Sequence, residues 1–193
     1  MTPVPLRRLI LWLVLALPGL GIAIQYATDA IPYGQVIHLT GDISVELLIL
    51  TLAVTPLRLA FPRAGLPLWM LKRRREFGLA SFGYAAFHLV TYLWRKMDLA
   101  LITREGAKID LLTGWIAFVL FVALAVTSND VSVRLMRRAW KNLHRLVYPA
   151  AVLALAHWLL TAFEPRDAII HASVLAAVEA TRLVLMVRRK RPT

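Results

Sequence analysis

Two of the five histidines in this chain lie inside long apolar stretches, and there is no cysteine. His88 sits within Phe77 to Trp94, FGLASFGYAAFHLVTYLW, which carries no charge and is flanked by Lys72-Arg73-Arg74-Arg75 and Arg95-Lys96. His157 sits within a similar stretch from Leu146 to Phe163. A titratable imidazole in hydrocarbon is costly, so it needs a partner or a task. The absence of cysteine excludes disulfides, thiolate zinc sites, iron–sulfur clusters and covalent haem attachment through Cys-x-x-Cys-His. Histidine is therefore the best remaining ligand for a transition metal or haem.

The elements that must position these side chains are apolar runs of membrane-spanning length. The chain has 193 residues, 59% of them hydrophobic, and a mean hydropathy of +0.65. A soluble domain does not have that composition. Six spans are predicted, at about 9–27, 43–61, 77–94, 111–126, 146–163 and 168–187, forming a single all-α, polytopic membrane helix bundle over 1–193. Pro18-Gly19-Leu20-Gly21 is expected to kink the first span. That span follows Arg7-Arg8 and has no clear small-x-small cleavage site, so it reads as uncleaved rather than as a signal peptide. SVRLMRRAWKNLHRL separates apolar from basic faces and is expected to lie along the membrane surface.

The formal charge is +12. The basic residues lie between apolar runs rather than along one polar face, which argues for membrane topology and against nucleic-acid binding. One set of flanks holds seventeen lysines and arginines: Arg7, Arg8, Arg58, Arg63, the Lys72–Arg75 run, Arg134, Arg137, Arg138, Lys141, Arg145 and the Arg188–Arg191 run. The opposite set holds five: Arg95, Lys96, Arg104, Lys108 and Arg166. The positive-inside rule places both termini and the basic loops in the cytoplasm.

With that orientation, His88 and His157 each lie roughly 16 Å from the cytoplasmic end of their spans, at about 1.5 Å per residue. Two histidines at one depth on separate helices can face each other across a macrocycle as axial ligands of haem iron. Small residues precede both on their helical faces, Ala85 and Ser81 for His88, Ala154 and Ala150 for His157. His144 lies thirteen residues before His157 and about 220° round a straight helix from it. Only a bend, for which Pro149 provides a cause, would aim the two at one side. His144 is thus either an interfacial histidine touching lipid phosphate or a cofactor edge, or the ligand of a second site. His38 and His171 fall near the opposite face, where each could shape a docking surface or bond a haem propionate. Glu179 and Arg182, three apart, suit a mutual ion pair. Tyr84 and Tyr92 share a face of the His88 span.

The strings RREFGLASFGYAAFHLVTYLW, ITR, LAVTSND and RRAWKNLHRLVYPAAVLALAHW resemble the MsrQ family, haem-binding membrane subunits in the ferric-reductase-like transmembrane superfamily. The likeness runs from about His38 to His157 and is most specific at Trp140 to Tyr148. It implies b-type haem, flavin mononucleotide (FMN), and residence in the bacterial inner membrane as a multi-pass protein. It implies electron flow from a quinone or a cytoplasmic flavin reductase to a periplasmic, molybdopterin-containing methionine sulfoxide reductase subunit. It also extends haem ligation to His88, His144 and His157. After ITR the family usually continues with a proline and an aromatic, whereas this chain has Glu105-Gly106-Ala107-Lys108. Other readings of the same histidines are another ferric-reductase-like haem carrier, a small proton-conducting transporter, or an assembly scaffold.

Overall fold

The computed structural model describes residues 6–97 and 99–190. Two of the flanking charged positions, Asp98 and Arg191, lie outside the described residues. Among those described there are nine helices and no strand. They are α1 (Leu6–Ala27), α2 (Tyr33–Ala60), α3 (Gly65–Lys96), α4 (Leu99–Gly106), α5 (Ile109–Val126), α6 (Asp130–Met136), α7 (Arg138–His144), α8 (Val147–Thr161) and α9 (Arg166–Lys190).

Five segments among the described residues are long and apolar enough to cross a membrane: Leu6–Ala27, Tyr33–Ala60, Ile109–Val126, Arg138–Thr161 and Arg166–Arg189. The helix that carries His88, α3, is not one of them. Ser81, Tyr84 and Thr91 lower its hydropathy, and all three are buried against other helices rather than offered to lipid. Its polarity therefore belongs to the interior of the bundle.

Two helix pairs form the frame. Helix α2 packs along α3, α5 packs along α8, and α9 covers the outer side of α2. The register of the first pair is set by a reciprocal bond between buried serines. Ser44 Oγ donates to the Ser81 carbonyl at 2.9 Å, and Ser81 Oγ donates to the Ser44 carbonyl at 2.8 Å. Small hydroxyls let the two backbones approach while both hydroxyls find acceptors, which is what a membrane interior requires. Val45, Leu48, Ile49 and Leu52 of α2 then pack with Phe121 of α5, Ala150, Ala151 and Leu155 of α8 and Leu175 of α9 in the main core.

Two predicted connections are helical. The 28–42 connection yields to α2 from Tyr33 onward, because Val36 and Thr40, one turn apart, are fully buried. His38 also pairs with Asp42 across one turn at 3.4 Å. The basic 58–75 connection becomes α3 from Gly65 onward, where Pro67 and Met70 are buried. Glu76, also buried, accepts Arg8 at 2.9 Å and Arg73 at 3.5 Å, so the basic run has a structural anchor.

Pro18 lies inside α1, which continues past it to Ala27. Proline removes one backbone donor and crowds the preceding turn. Here the Tyr84 hydroxyl enters the ladder: it donates to the Leu15 carbonyl at 2.8 Å and accepts the Gly19 N–H at 2.8 Å. A Cβ on Gly19 would stand 3.1 Å from the Tyr84 ring, so the glycine admits the tyrosine. The expected kink site is thus where α1 docks on α3. The predicted surface segment is two short helices, α6 and α7, divided at Arg137, whose φ of 48° lies in the left-handed region.

Candidate functional site

The α2–α3 and α5–α8 pairs enclose a cavity of about 840 Å³. Cofactor-sized ligands commonly occupy cavities of roughly 300–1,000 Å³. His88 enters it from α3 and His157 from α8. Their ring centroids are 6.3 Å apart and their planes cross at 86°. The histidines that the sequence places at one depth are brought together in one cavity.

Each imidazole is held in the same manner. His88 Nδ1 lies 3.0 Å from the Ile37 carbonyl of α2, and His157 Nδ1 lies 2.7 Å from the Asp110 carbonyl of α5. A carbonyl can only accept, so each Nδ1 carries a proton, and in the neutral imidazole Nε2 is then the nitrogen free to bind a metal. Each ring also rests on a glycine of the paired helix. A Cβ on Gly41 would meet His88 Nδ1 at 3.4 Å; one on Gly114 would meet His157 Nδ1 at 2.8 Å and Cε1 at 2.9 Å. The backbone thus fixes both tautomers, and the missing side chains leave room for both rings.

This arrangement could hold a haem iron between the two imidazoles. An imidazole nitrogen binds a first-row metal at about 2 Å. Two such bonds on opposite sides of one metal set the ring centroids roughly 6 Å apart, against the 6.3 Å found here. Backbone acceptors on the remote nitrogens are the usual outer support of metal-bound histidine. Apolar Ala85, Leu89, Phe118 and Ala154 line the same cavity, as do the polar or charged Tyr92, Asp42 and Glu164. Of the small residues preceding the histidines, Ala85 and Ala154 face this space. Ser81 is instead committed to Ser44, and Ala150 is buried in the core.

His144 is not part of this pair. It lines a second cavity, of about 380 Å³. Its Nε2 is 3.1 Å from Thr127 Oγ1, and its ring stacks on Trp140 with centroids 3.9 Å apart. Between His144 and His157 the helix is interrupted by a turn at Arg145 and Leu146. Because Pro149 offers no N–H, the Arg145 carbonyl accepts from Tyr148 at 3.2 Å.

His38 lines the larger cavity. His171 lies outside it, with Nδ1 on the Asp167 carbonyl at 2.8 Å. Trp158 touches both, its ring centroid 6.3 Å from that of His38 and 4.9 Å from that of His171. The expected Glu179–Arg182 ion pair is present at 2.8 Å. Arg182 also stands over the Tyr148 ring, 4.2 Å from its centroid, and donates to its hydroxyl. Sequence reasoning missed that link, because nothing local joins residues on α8 and α9. The divergent 105–108 segment is likewise placed. Glu105 takes Lys96 at 2.8 Å and the Tyr92 hydroxyl at 3.4 Å, and the Lys96 hydrogen bond holds its carboxyl below the usual range. A Cβ on Gly106 would meet Trp115 Nε1 at 3.0 Å, so the glycine seats a tryptophan of the cavity wall.

Residues 40–155 match the family described as ferric reductase like transmembrane component. Over 178 residues the chain is 36% identical to the protein-methionine-sulfoxide reductase heme-binding subunit MsrQ of Xanthomonas campestris pv. campestris, covering 88% of this chain and 79% of that one. The chain belongs to the MsrQ family. MsrQ of Azospira oryzae is 37% identical, with 94% of this chain and 80% of the relative covered. MsrQ of Ralstonia nicotianae is 38% identical, with 93% and 84% covered. No solved structure matches. The transmembrane family and the five apolar segments make this MsrQ family member a multi-pass membrane protein with an electron-transfer role.

Proposed function

We propose that this protein is a membrane cytochrome b that relays electrons through haem to a periplasmic methionine sulfoxide reductase catalytic subunit. The observation that carries the reading is the opposed His88 and His157 pair, 6.3 Å apart and each backed by a carbonyl and a glycine. His88 and His157 would hold the haem iron, which would supply one-electron redox chemistry when bound. The chain fixes both rings through Nδ1 and lines the centre with Ala85, Leu89, Phe118 and Ala154.

The chain crosses the inner membrane six times, with α3 as the sixth crossing and both termini cytoplasmic. The charge asymmetry of its flanks and the inward burial of the polar residues of α3 support this. The partner is a methionine sulfoxide reductase catalytic subunit, in line with the reductase named for the relatives, and molybdopterin is proposed as that subunit's cofactor. Electrons enter from a quinone or a cytoplasmic flavin reductase by way of FMN, at the end of the bundle rich in arginine.

Stopped-flow spectroscopy tests the relay. Reduced protein mixed with oxidised catalytic subunit and methionine sulfoxide is expected to reoxidise in a saturable, partner-dependent phase. Reoxidation at one rate with and without the partner would refute it.

A second reading is favoured by the separate cavity at His144, namely that His144 ligates a second, cytoplasm-proximal haem. His144→Ala is then expected to lower the haem-to-protein ratio from about two to about one while sparing the low-spin spectrum, since one iron takes only its own axial ligands. An unchanged ratio returns His144 to its contacts with Thr127 and Trp140.

A further inference from the structure

One turn of α4 holds two aromatic side chains of the larger cavity. Tyr92 follows His88 by four residues on α3, so the two share a helical face, and both line that cavity. Trp115 also lines it, directly after Gly114, the glycine on which the His157 ring rests. The Tyr92 hydroxyl donates to Glu105 Oε2 at 3.4 Å, and Lys96 Nζ approaches the same oxygen at 2.8 Å. The lysine bond holds the Glu105 carboxyl below its usual range, so it stays ionised and can only accept. The next residue, Gly106, lets the Trp115 indole lie so close that a Cβ there would stand 3.0 Å from Nε1. Consecutive residues of α4 thus set two wall side chains that stand beside the elements holding His88 and His157.

We propose that Glu105 is a positioning residue for the redox centre, acting through Tyr92 to hold that ring in the cavity wall and limit the water that reaches the haem. That role rests on the haem reading above. Oxidised haem between two neutral imidazoles carries one more positive charge than reduced haem, so water at the centre favours the oxidised form. Tyr92 is half-buried. Its hydroxyl, deprived of an acceptor, turns to water, either by moving the ring or by drawing water toward the wall. A bare charge at Glu105 would act differently: it would bias the haem by its field alone, whatever replaced the carboxylate. The substitutions Glu105→Gln and Glu105→Ala both remove the charge, but only the amide keeps an acceptor oxygen for Tyr92.

The test uses the full chain purified in a neutral detergent with its haem, and reads the reduced-to-oxidised ratio optically at one fixed ambient potential. Glu105→Ala, Glu105→Gln, Tyr92→Phe and the two double variants that combine them are compared with the unmodified protein. The ratio in Glu105→Ala is expected to be at least about threefold lower than in Glu105→Gln, the low end of what one hydrogen bond is worth. On the Tyr92→Phe background that difference is expected to vanish, as coupling through a single contact requires. Equal ratios in Glu105→Ala and Glu105→Gln, or a difference that survives Tyr92→Phe, would overturn the proposal. Where Glu105→Ala does not retain haem, Tyr92→Phe alone decides. A ratio at least about threefold below that of the unmodified protein then supports the proposal, and an unchanged ratio overturns it. Absence of haem from the unmodified protein would refute the haem reading and the proposal together. Intact low-spin haem with no deficit in Glu105→Ala refutes the proposal alone.

Discussion

Replacing His88 or His157 by alanine is expected to weaken haem retention by at least about 100-fold. Loss of a mere outer-shell partner of a metal ligand already costs about 10–100-fold, and these substitutions remove the ligand itself. The measurement is the haem-to-protein ratio by the pyridine haemochrome method, with the absorption spectrum of whatever haem remains. Any residual haem is expected to be high-spin, with one imidazole bound. Adding free imidazole is expected to restore the low-spin spectrum, since the vacated side of the 840 Å³ cavity has room for it. That rescue separates loss of a ligand from loss of the fold. A normal ratio with an unaltered spectrum in either variant would remove both residues from the iron.

Gly114→Ala is expected to rank next in effect. Its Cβ would stand 2.8 to 2.9 Å from three atoms of the His157 ring, closer than real Cβ contacts come. The ring must rotate, surrendering its bond to the Asp110 carbonyl and its aim at the partner imidazole. Overpacking of this kind costs roughly 1–3 kcal/mol, small enough for the bundle to survive. The expected result is a folded protein with a mixed or high-spin spectrum and a shifted midpoint potential. Gly41→Ala is the graded control. Its Cβ would meet His88 at 3.4 Å, which a small adjustment absorbs, so its haem is expected to stay low-spin. Equal behaviour of the two variants would contradict the asymmetry read from the rings.

The pairing of His88 with His157 was legible in the sequence because depth in a membrane is a linear count along a helix. Equal offsets from the basic flanks put both side chains in one layer. The glycines that seat them were not legible, since Gly41 and Gly114 act across helix pairs whose register depends on contacts such as Ser44 with Ser81. Hydropathy set most helix ends within a few residues. It failed where helices continue beyond the apolar layer, at Tyr33 to Asp42 and Gly65 to Arg75, because charge was taken to mark an end. His38 with Asp42, and Arg73 with Glu76, are pairs one helical turn apart that lend support to those extensions. Pro18 was expected to kink the first span, and α1 runs through it as one helix. Its meaning as the docking point of Tyr84 depended on a residue 69 positions from the carbonyl that it binds.

The most direct test of the central claim is the electron paramagnetic resonance spectrum of the oxidised, purified protein, recorded beside its optical spectrum. Two histidines facing across one iron give low-spin ferric haem, and planes crossed at 86° predict a strongly anisotropic signal rather than the rhombic one that parallel planes give. A Soret band with that low-spin signal is the expected result. Absence of a Soret band, or a purely high-spin signal, would contradict the account.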